Sequence, residues 1–226
     1  MISAITTNVT SFFREPHHFE ALSRIVPELA LRARAGGRVR IWSAACATGQ
    51  EPYSIAVTIL ARWPDAVRFD VRILATDIDP EAVETARRGV YPESLVTDVP
   101  EALRRQLVPG PTPGTVAVGE LPRELLRFEE LNLLGPWPFR GLFDVIFCRN
   151  VVIYFDAATR SRLWARLAER LVPGGLLFVG HSETIERAAR IGLVPVGITQ
   201  YRRDPDRPVS AAGPIGDNKS ANPDAT

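Results

Sequence analysis

Two short stretches hold the residues best suited to chemistry. Ser43-Ala44-Ala45-Cys46-Ala47-Thr48-Gly49-Gln50-Glu51 closes an apolar run with small side chains, and such a turn lets a ligand approach the backbone closely before a helix begins. Thr76-Asp77 follows a second apolar run, and an acid placed there accepts hydrogen bonds from ribose hydroxyls. Each stretch also has a plainer use, since the turn suits close packing of helix on strand and Asp77 suits a helix cap. The turn lacks the three spaced glycines of a dinucleotide site, and Glu51 would repel a pyrophosphate at the helix N-terminus. NAD is therefore disfavoured. The same acid accommodates a cationic ligand, such as the sulfonium and amino group of S-adenosylmethionine.

These residues need a scaffold that brings strand ends together. Residues 39–44, 71–75, 145–148 and 176–179 are apolar runs alternating with helical patterns, the pattern of crossover units that build a parallel sheet. The expected fold is α/β, a doubly wound, mostly parallel, Rossmann-like sheet whose ligand lies beyond the carboxyl ends of the strands. Phe19, Leu22, Val26 and Leu29 share one face of an earlier helix, with a kink or break expected at Pro27. Glu51-Pro52 opens a helix, and Asp79-Pro80 opens another that runs to Arg87, Arg88 and Gly89. Asp156 caps a third helix carrying Leu163, Leu167 and Leu171, which Pro173-Gly174-Gly175 stops. Residues 126–134 read as a further strand and 193–202 as an antiparallel hairpin arm. Residues 89–127 read as an inserted subdomain within a domain spanning 1–203, and 204–226 as a disordered tail.

Composition narrows the class. With 226 residues, 46% hydrophobic and 23% charged, the chain suits one sizeable core. A formal net charge of +1 gives no electrostatic reason to expect nucleic acid. No apolar stretch reaches the length of a membrane span and no signal peptide is visible, so a cytoplasmic protein without membrane insertion is expected.

Longer strings resemble one family. They are Thr7-Asn8-Val9-Thr10-Ser11-Phe12-Phe13-Arg14-Glu15, Trp42-Ser43-Ala44-Ala45 with Thr48-Gly49-Gln50-Glu51-Pro52-Tyr53-Ser54, and Ala75-Thr76-Asp77-Ile78-Asp79. Further on come Leu131-Asn132-Leu133-Leu134, Phe143-Asp144-Val145-Ile146-Phe147-Cys148-Arg149-Asn150-Val151 with Ile153-Tyr154-Phe155, and Pro173-Gly174-Gly175 through Gly180-His181-Ser182-Glu183. In this order they resemble the chemotaxis-receptor methyltransferases, the CheR family, from about Thr6 to Arg202.

The resemblance implies a protein-glutamate O-methyltransferase that uses S-adenosylmethionine, releases S-adenosylhomocysteine and acts on cytoplasmic helices of chemoreceptors. Its cofactor positions fall on Asn8, Thr10, Arg14, Glu51, Asp77, Asn132, Leu133, Arg149 and Asn150. Asp77 would hold the ribose, Glu51 would face the methionine end, Arg14 would take the cofactor's carboxylate, and Asn132 with Leu133 would meet adenine. Tyr154 would sit beside the transferred methyl, so Tyr154 and Arg14 are the catalytic candidates. The family carries a small helical domain ahead of the Asn8 segment, and this sequence starts almost at that motif. A non-catalytic S-adenosylmethionine-binding sensor is the rival reading, and a nucleotide-dependent oxidoreductase the third.

Other residues have bland expectations. Phe12 and Phe13 read as packing groups. His17 and His18 are adjacent, so on a helix they point in different directions, and no metal site is expected. His181 reads as satisfied by local backbone, and Cys46 and Cys148 as unpaired core residues. The arginines of 123–127 and 160–170 read as a mostly solvated face.

Overall fold

A computed structural model describes residues 10–207, including the backbone but not the side chain of Tyr154. In chain order the elements are α1 (Pro16–Arg34), β1 (Val39–Ala44), α2 (Gln50–Arg62), β2 (Val71–Asp77), α3 (Pro80–Arg88), β3 (Val90–Pro92), α4 (Glu101–Arg104) and β4 (Leu107–Pro109). There follow β5 (Thr115–Val118), α5 (Glu120–Glu124), β6 (Leu126–Glu130), β7 (Phe143–Cys148), α6 (Ala157–Glu169), β8 (Leu171–Val179), β9 (Leu193–Gly197) and β10 (Gln200–Arg203).

Seven strands form the main sheet in the order β6-β2-β1-β7-β8-β10-β9. The first five run parallel, while β10 is antiparallel to both β8 and β9. From β1 the chain works outward through β2 to β6, then returns to the other side of β1 with β7 and β8. The strand order therefore reverses between β1 and β7, where an open α/β sheet forms its ligand crevice. The fold class matches the expectation from the sequence.

The central strands are apolar without interruption because both faces are covered. Every residue of β7 is buried. Along β1, Ile41 packs with α1 and α2 residues such as Leu22 and Ile55, while the next residue, Trp42, packs with the α6 residues Leu163 and Leu167 on the opposite face. A second sheet, β3-β5-β4, lies between α3 and β6 in the chain. Its Tyr91 and Val118 share a cluster with Phe12, Tyr53 and Phe128, which ties the small sheet to the main core.

Local signals set most boundaries. Asp79 accepts the Glu81 amide at 2.9 Å and Asp156 accepts the Thr159 amide at 2.8 Å, each an N-cap satisfying an otherwise orphaned donor. Three boundaries differ from the sequence reading. α1 runs unbroken through Pro27, with Val26, Leu29 and Ala30 buried on either side of it. α6 ends at Glu169, and Pro173-Gly174-Gly175 lies inside β8, not after a helix: Phe143 pairs with Leu171 and Val145 with Leu176, so the intervening residues bulge out of register. β6 stops at Glu130, because the Asn132 side chain accepts the Leu134 amide at 2.9 Å and turns the chain.

Gly49 joins fold to site. Its φ is +99°, and a Cβ there would meet Tyr91 Oη at 2.8 Å and Ala86 Cβ at 2.9 Å. Gly49→Ala is expected to lower unfolding free energy by about 2 kcal/mol, from backbone strain plus overpacking. Urea denaturation checks this, and an unchanged midpoint would mean that the loop relaxes freely.

Candidate active site at the carboxyl ends of the strands

Positive-φ residues other than glycine gather around the crevice. Ala45 (φ 85°) and Ala47 (φ 46°) follow β1, Asn150 (φ 60°) follows β7, and Phe13 (φ 53°) and Glu15 (φ 61°) precede α1. Such backbone costs about 1–3 kcal/mol per residue and persists only where surrounding contacts impose it. Those contacts are visible after β1, where the Ala45 and Cys46 amides both donate to the Thr76 carbonyl at 2.8 Å. Asp77 completes the hold, accepting the Ala47 amide at 2.7 Å and the Asp79 amide at 3.0 Å on separate oxygens. Burial pushes the Asp77 carboxyl up from its ordinary range, while these amides pull it down. Each oxygen keeps lone-pair capacity for a further donor. Asp77 thus shapes the small-residue turn and still presents an acceptor beside it.

The residue after β7, Arg149, is buried between two acids. Its Nη1 donates to Glu51 Oε2 at 2.9 Å, its Nη2 lies 3.3 Å from Glu15 Oε2, and Nη2 also donates to the Arg14 carbonyl. Glu51 further accepts Ser43 Oγ at 2.7 Å. Burial raises the Glu51 carboxyl from its usual range, although Arg149 and Ser43 oppose this. Burial also acts to raise Glu15, but Arg149 and the His181 amide outweigh it and hold that carboxyl low. Glu51 and Arg149, read from the sequence as cofactor groups, are engaged with each other here and join α2 to the end of β7.

The three histidines of the chain converge on the same corner, contrary to the sequence reading. His17 and His18 have ring centroids 4.1 Å apart, because the β9–β10 turn brings Thr199 over both. Glu15, His17 and His18 offer ligand-type atoms within 4.8 Å of one another, and the Arg149 guanidinium supplies a cation to this cluster. Thr199 Oγ1 donates to the Ile198 carbonyl, so it accepts from His18 Nε2 at 2.8 Å. His18 Nδ1 then faces Glu15 Oε2 at 3.5 Å without a hydrogen bond. Burial, with Arg149 and His17 adding to it, pushes the His18 pKa down to about 3. His181 also departs from expectation: its amide and its Nδ1 each lie 3.2 Å from Glu15 Oε1.

The remaining candidates are spread around the crevice. Thr10 and Arg14 are half-buried in the segment entering α1, and Asn8 lies outside the described residues. Leu133 is buried in the α6-side core while Asn132 is exposed. Tyr154 ends a short 3-10 turn, Val152–Tyr154, beyond β7. Two arginines assigned to a solvated face do local work instead. Arg166 stacks 4.0 Å above Trp137 and donates to the Leu133 and Gly135 carbonyls. Arg123 donates to the Val118, Arg87 and Arg88 carbonyls, closing the end of α3. The reading of the sequence assigned no role to Glu183 or Ser43, although both lie in the strings quoted above. Cys46 and Cys148 are free and buried, as expected.

A doubly wound sheet whose strand tips carry strained, small-residue backbone beside Asp77, Glu51 and Glu15 has the layout of a methyltransferase fold, with acids near the reversal of strand order. Residues 8–198 match the family described as CheR methyltransferase, SAM binding domain, and the chain belongs to that family. It is 50% identical over 206 residues to a "Probable chemotaxis protein methyltransferase" of Rhizobium etli, covering 89% of this chain and 77% of that one. It is 43% identical over 206 residues to "Chemotaxis protein methyltransferase 2" of Pseudomonas aeruginosa, covering 88% and 71%. With the "Chemotaxis protein methyltransferase" of Escherichia coli it shares 42% over 201 residues, covering 84% of this chain and 65% of that one. It is a methyltransferase domain that uses S-adenosylmethionine. Among the described residues no helix is long and apolar enough to cross a membrane.

Two measurements test the corner around Arg149. Arg149→Met should cost about 3 kcal/mol or more, because two buried acids lose their cation, and Glu51→Gln added to it should return part of the loss. Equal stability of wild type and Arg149→Met in urea would show the pair to be dispensable. His18 binds its proton far more weakly folded than unfolded, so between roughly pH 6.5 and 3 the unfolded chain holds the extra proton and stability falls as pH falls. His18→Gln should flatten that slope by up to about 1.4 kcal/mol per pH unit. Parallel pH–stability curves for the two proteins would contradict this.

Proposed function

We propose that this protein transfers the methyl group of S-adenosylmethionine to glutamate side chains in the cytoplasmic helices of chemoreceptors, forming glutamyl methyl esters within the cytoplasm. The observation that carries the reading is Asp77, at the tip of β2, holding the strained β1 turn beside the strand-order reversal. When bound, S-adenosylmethionine supplies a sulfonium methyl, an electrophile that a carboxylate meets without prior deprotonation. A glutamate side chain, with a reference pKa of about 4.3, is already that carboxylate at neutral pH. The protein's task is in-line positioning and exclusion of water.

Each site residue has a role in this reading. Asp77 accepts the ribose hydroxyls through its remaining lone pairs. The Glu51–Arg149 pair walls the methionine end, with Thr10 and Arg14 closing it from the N-terminal segment and Arg14 meeting the cofactor's carboxylate, while Asn8 is assigned to the cofactor by its place in the family motif alone. Asn132 presents an exposed edge towards adenine, and Leu133 fixes that turn through the core. Asn150 and the turn that ends at Tyr154 stand on the methyl side, and Tyr154 is assigned the positioning of the reacting groups by its place in the family motif. The β3-β5-β4 sheet is assigned to an inserted subdomain, residues 89–127, within one methyltransferase domain spanning 1–203. The chemoreceptor cytoplasmic domain is the protein partner.

A labelled-methyl assay with a chemoreceptor cytoplasmic fragment should give label that mild base releases, as esters do. Cofactor binding without any transferred label would identify a sensor instead. Asp77→Ala should raise the dissociation constant for S-adenosylhomocysteine by about tenfold or more, because charge-assisted hydrogen bonds are lost. An unchanged constant in calorimetry would remove Asp77 from the ribose.

A further inference from the structure

Glu183 lies just beyond β8 and is 3% exposed. Its two oxygens accept four backbone amides: Gly180 at 2.7 Å and Asn150 at 2.9 Å on Oε2, then Val151 and Val152, each at 2.9 Å, on Oε1. All four contacts are N–H donors, so only an acceptor on both oxygens satisfies them. Three of these amides belong to the segment that leaves β7, and the fourth to the end of β8. One side chain therefore fixes the separation of two adjacent strand tips at the crevice.

Two neighbouring features fit the same arrangement. A Cβ on Gly180 would meet Asn150 Nδ2 at 2.5 Å and the Asn150 backbone nitrogen at 2.8 Å. The missing side chain is what lets the two tips come so close. Asn150 holds a φ of 60°, a conformation that needs such external support. Val152 itself begins the turn that ends at Tyr154.

We propose that Glu183 is a positioning residue for methyl transfer: its carboxylate clasps the backbone of Asn150, Val151 and Val152 and thereby sets where the Tyr154 turn presents itself to the acceptor. This rests on the methyl-transfer reading above. Glu183 touches no reacting atom and acts only through the backbone it holds. In Glu183→Gln, the amide group turns an N–H towards two of the four donors, so that half of the clasp opens while the shape of the side chain is kept.

The decisive comparison is turnover against cofactor affinity. Glu183→Gln should lower kcat on a receptor fragment by about tenfold or more while the dissociation constant for S-adenosylhomocysteine stays within about threefold. Glu183→Asp, which keeps both acceptors, should recover part of that loss. Leu177→Ala, a cavity in the core of β8 away from the clasp, serves as the stability control and should leave kcat per folded molecule unchanged. Amide hydrogen exchange on the wild-type protein gives an independent readout. The Asn150, Val151, Val152 and Gly180 amides should exchange at least about a hundredfold more slowly than in an open chain. Unprotected amides, or wild-type kcat and KM in Glu183→Gln, would overturn the proposal. If Glu183→Gln does not fold, the exchange data and the Glu183→Asp split decide the matter. Absence of methyl transfer by the wild type would instead reject the functional reading, with the exchange measurement still judging the clasp.

Discussion

The buried guanidinium of Arg149 is the interaction on which the crevice depends. Removing an ion from water costs several kcal/mol, and only close, well-aligned partners return that cost. Here the partners come from separate parts of the chain: Glu51 begins α2, Glu15 precedes α1, and the Arg14 carbonyl adds a third contact. Displacing Arg149 would leave two buried acids without their cation, and displacing any partner would leave one of its donors unpaired. The two helices and the end of β7 are therefore locked in one arrangement, and the N-terminal segment is drawn across the strand tips.

That lock works because the sheet has already set the geometry. Reversal of strand order between β1 and β7 leaves a crevice that neither crossover helix fills, and the loops rimming it are forced into positive-φ backbone. The strained residues that follow β1 and β7 have counterparts that hold them. Ala47 is held by Asp77, Asn150 by Glu183, and the β1 turn by the Thr76 carbonyl. Acids recur in this role because one carboxylate offers two oxygens and about four lone-pair sites, where a hydroxyl or amide side chain offers one oxygen with two.

This division explains what could be read from the sequence. The parallel strands were legible because burial on both faces writes a continuous apolar run, and α3 and α6 because Asp79 and Asp156 cap locally. Asp77 was legible from its place after a strand. Features made by distant contact were not: Arg149 and Glu51 are far apart in sequence, so nothing local marks their pairing. His17 and His18 look divergent on an ideal helix, and only the turn at Thr199 gathers them. Pro173-Gly174-Gly175 has the composition of a helix stop, yet the neighbouring strand Phe143–Cys148 captures it as a bulge. Glu183 was visible in a motif but without a role, since three of the four amides that it accepts lie on the distant segment after β7.

The electrostatics of the rim also bear on its ligand. Glu15 and Glu51 share Arg149 as a buried cation, while Asp77 has backbone amides as its donors, so acids outnumber bases among these four side chains. Burial raises the carboxyls of Glu51 and Asp77 from their ordinary values, because low-dielectric surroundings make the ionised form costly to hold. A cationic ligand relieves that cost, because an added positive charge stabilises the ionised form of each acid. An anionic group such as a pyrophosphate would increase it. In the methyl-transfer reading, the carboxylates that keep the strained loops in place are also the groups that meet a sulfonium and an amino group, so folding constraint and ligand preference would arise from one set of charges.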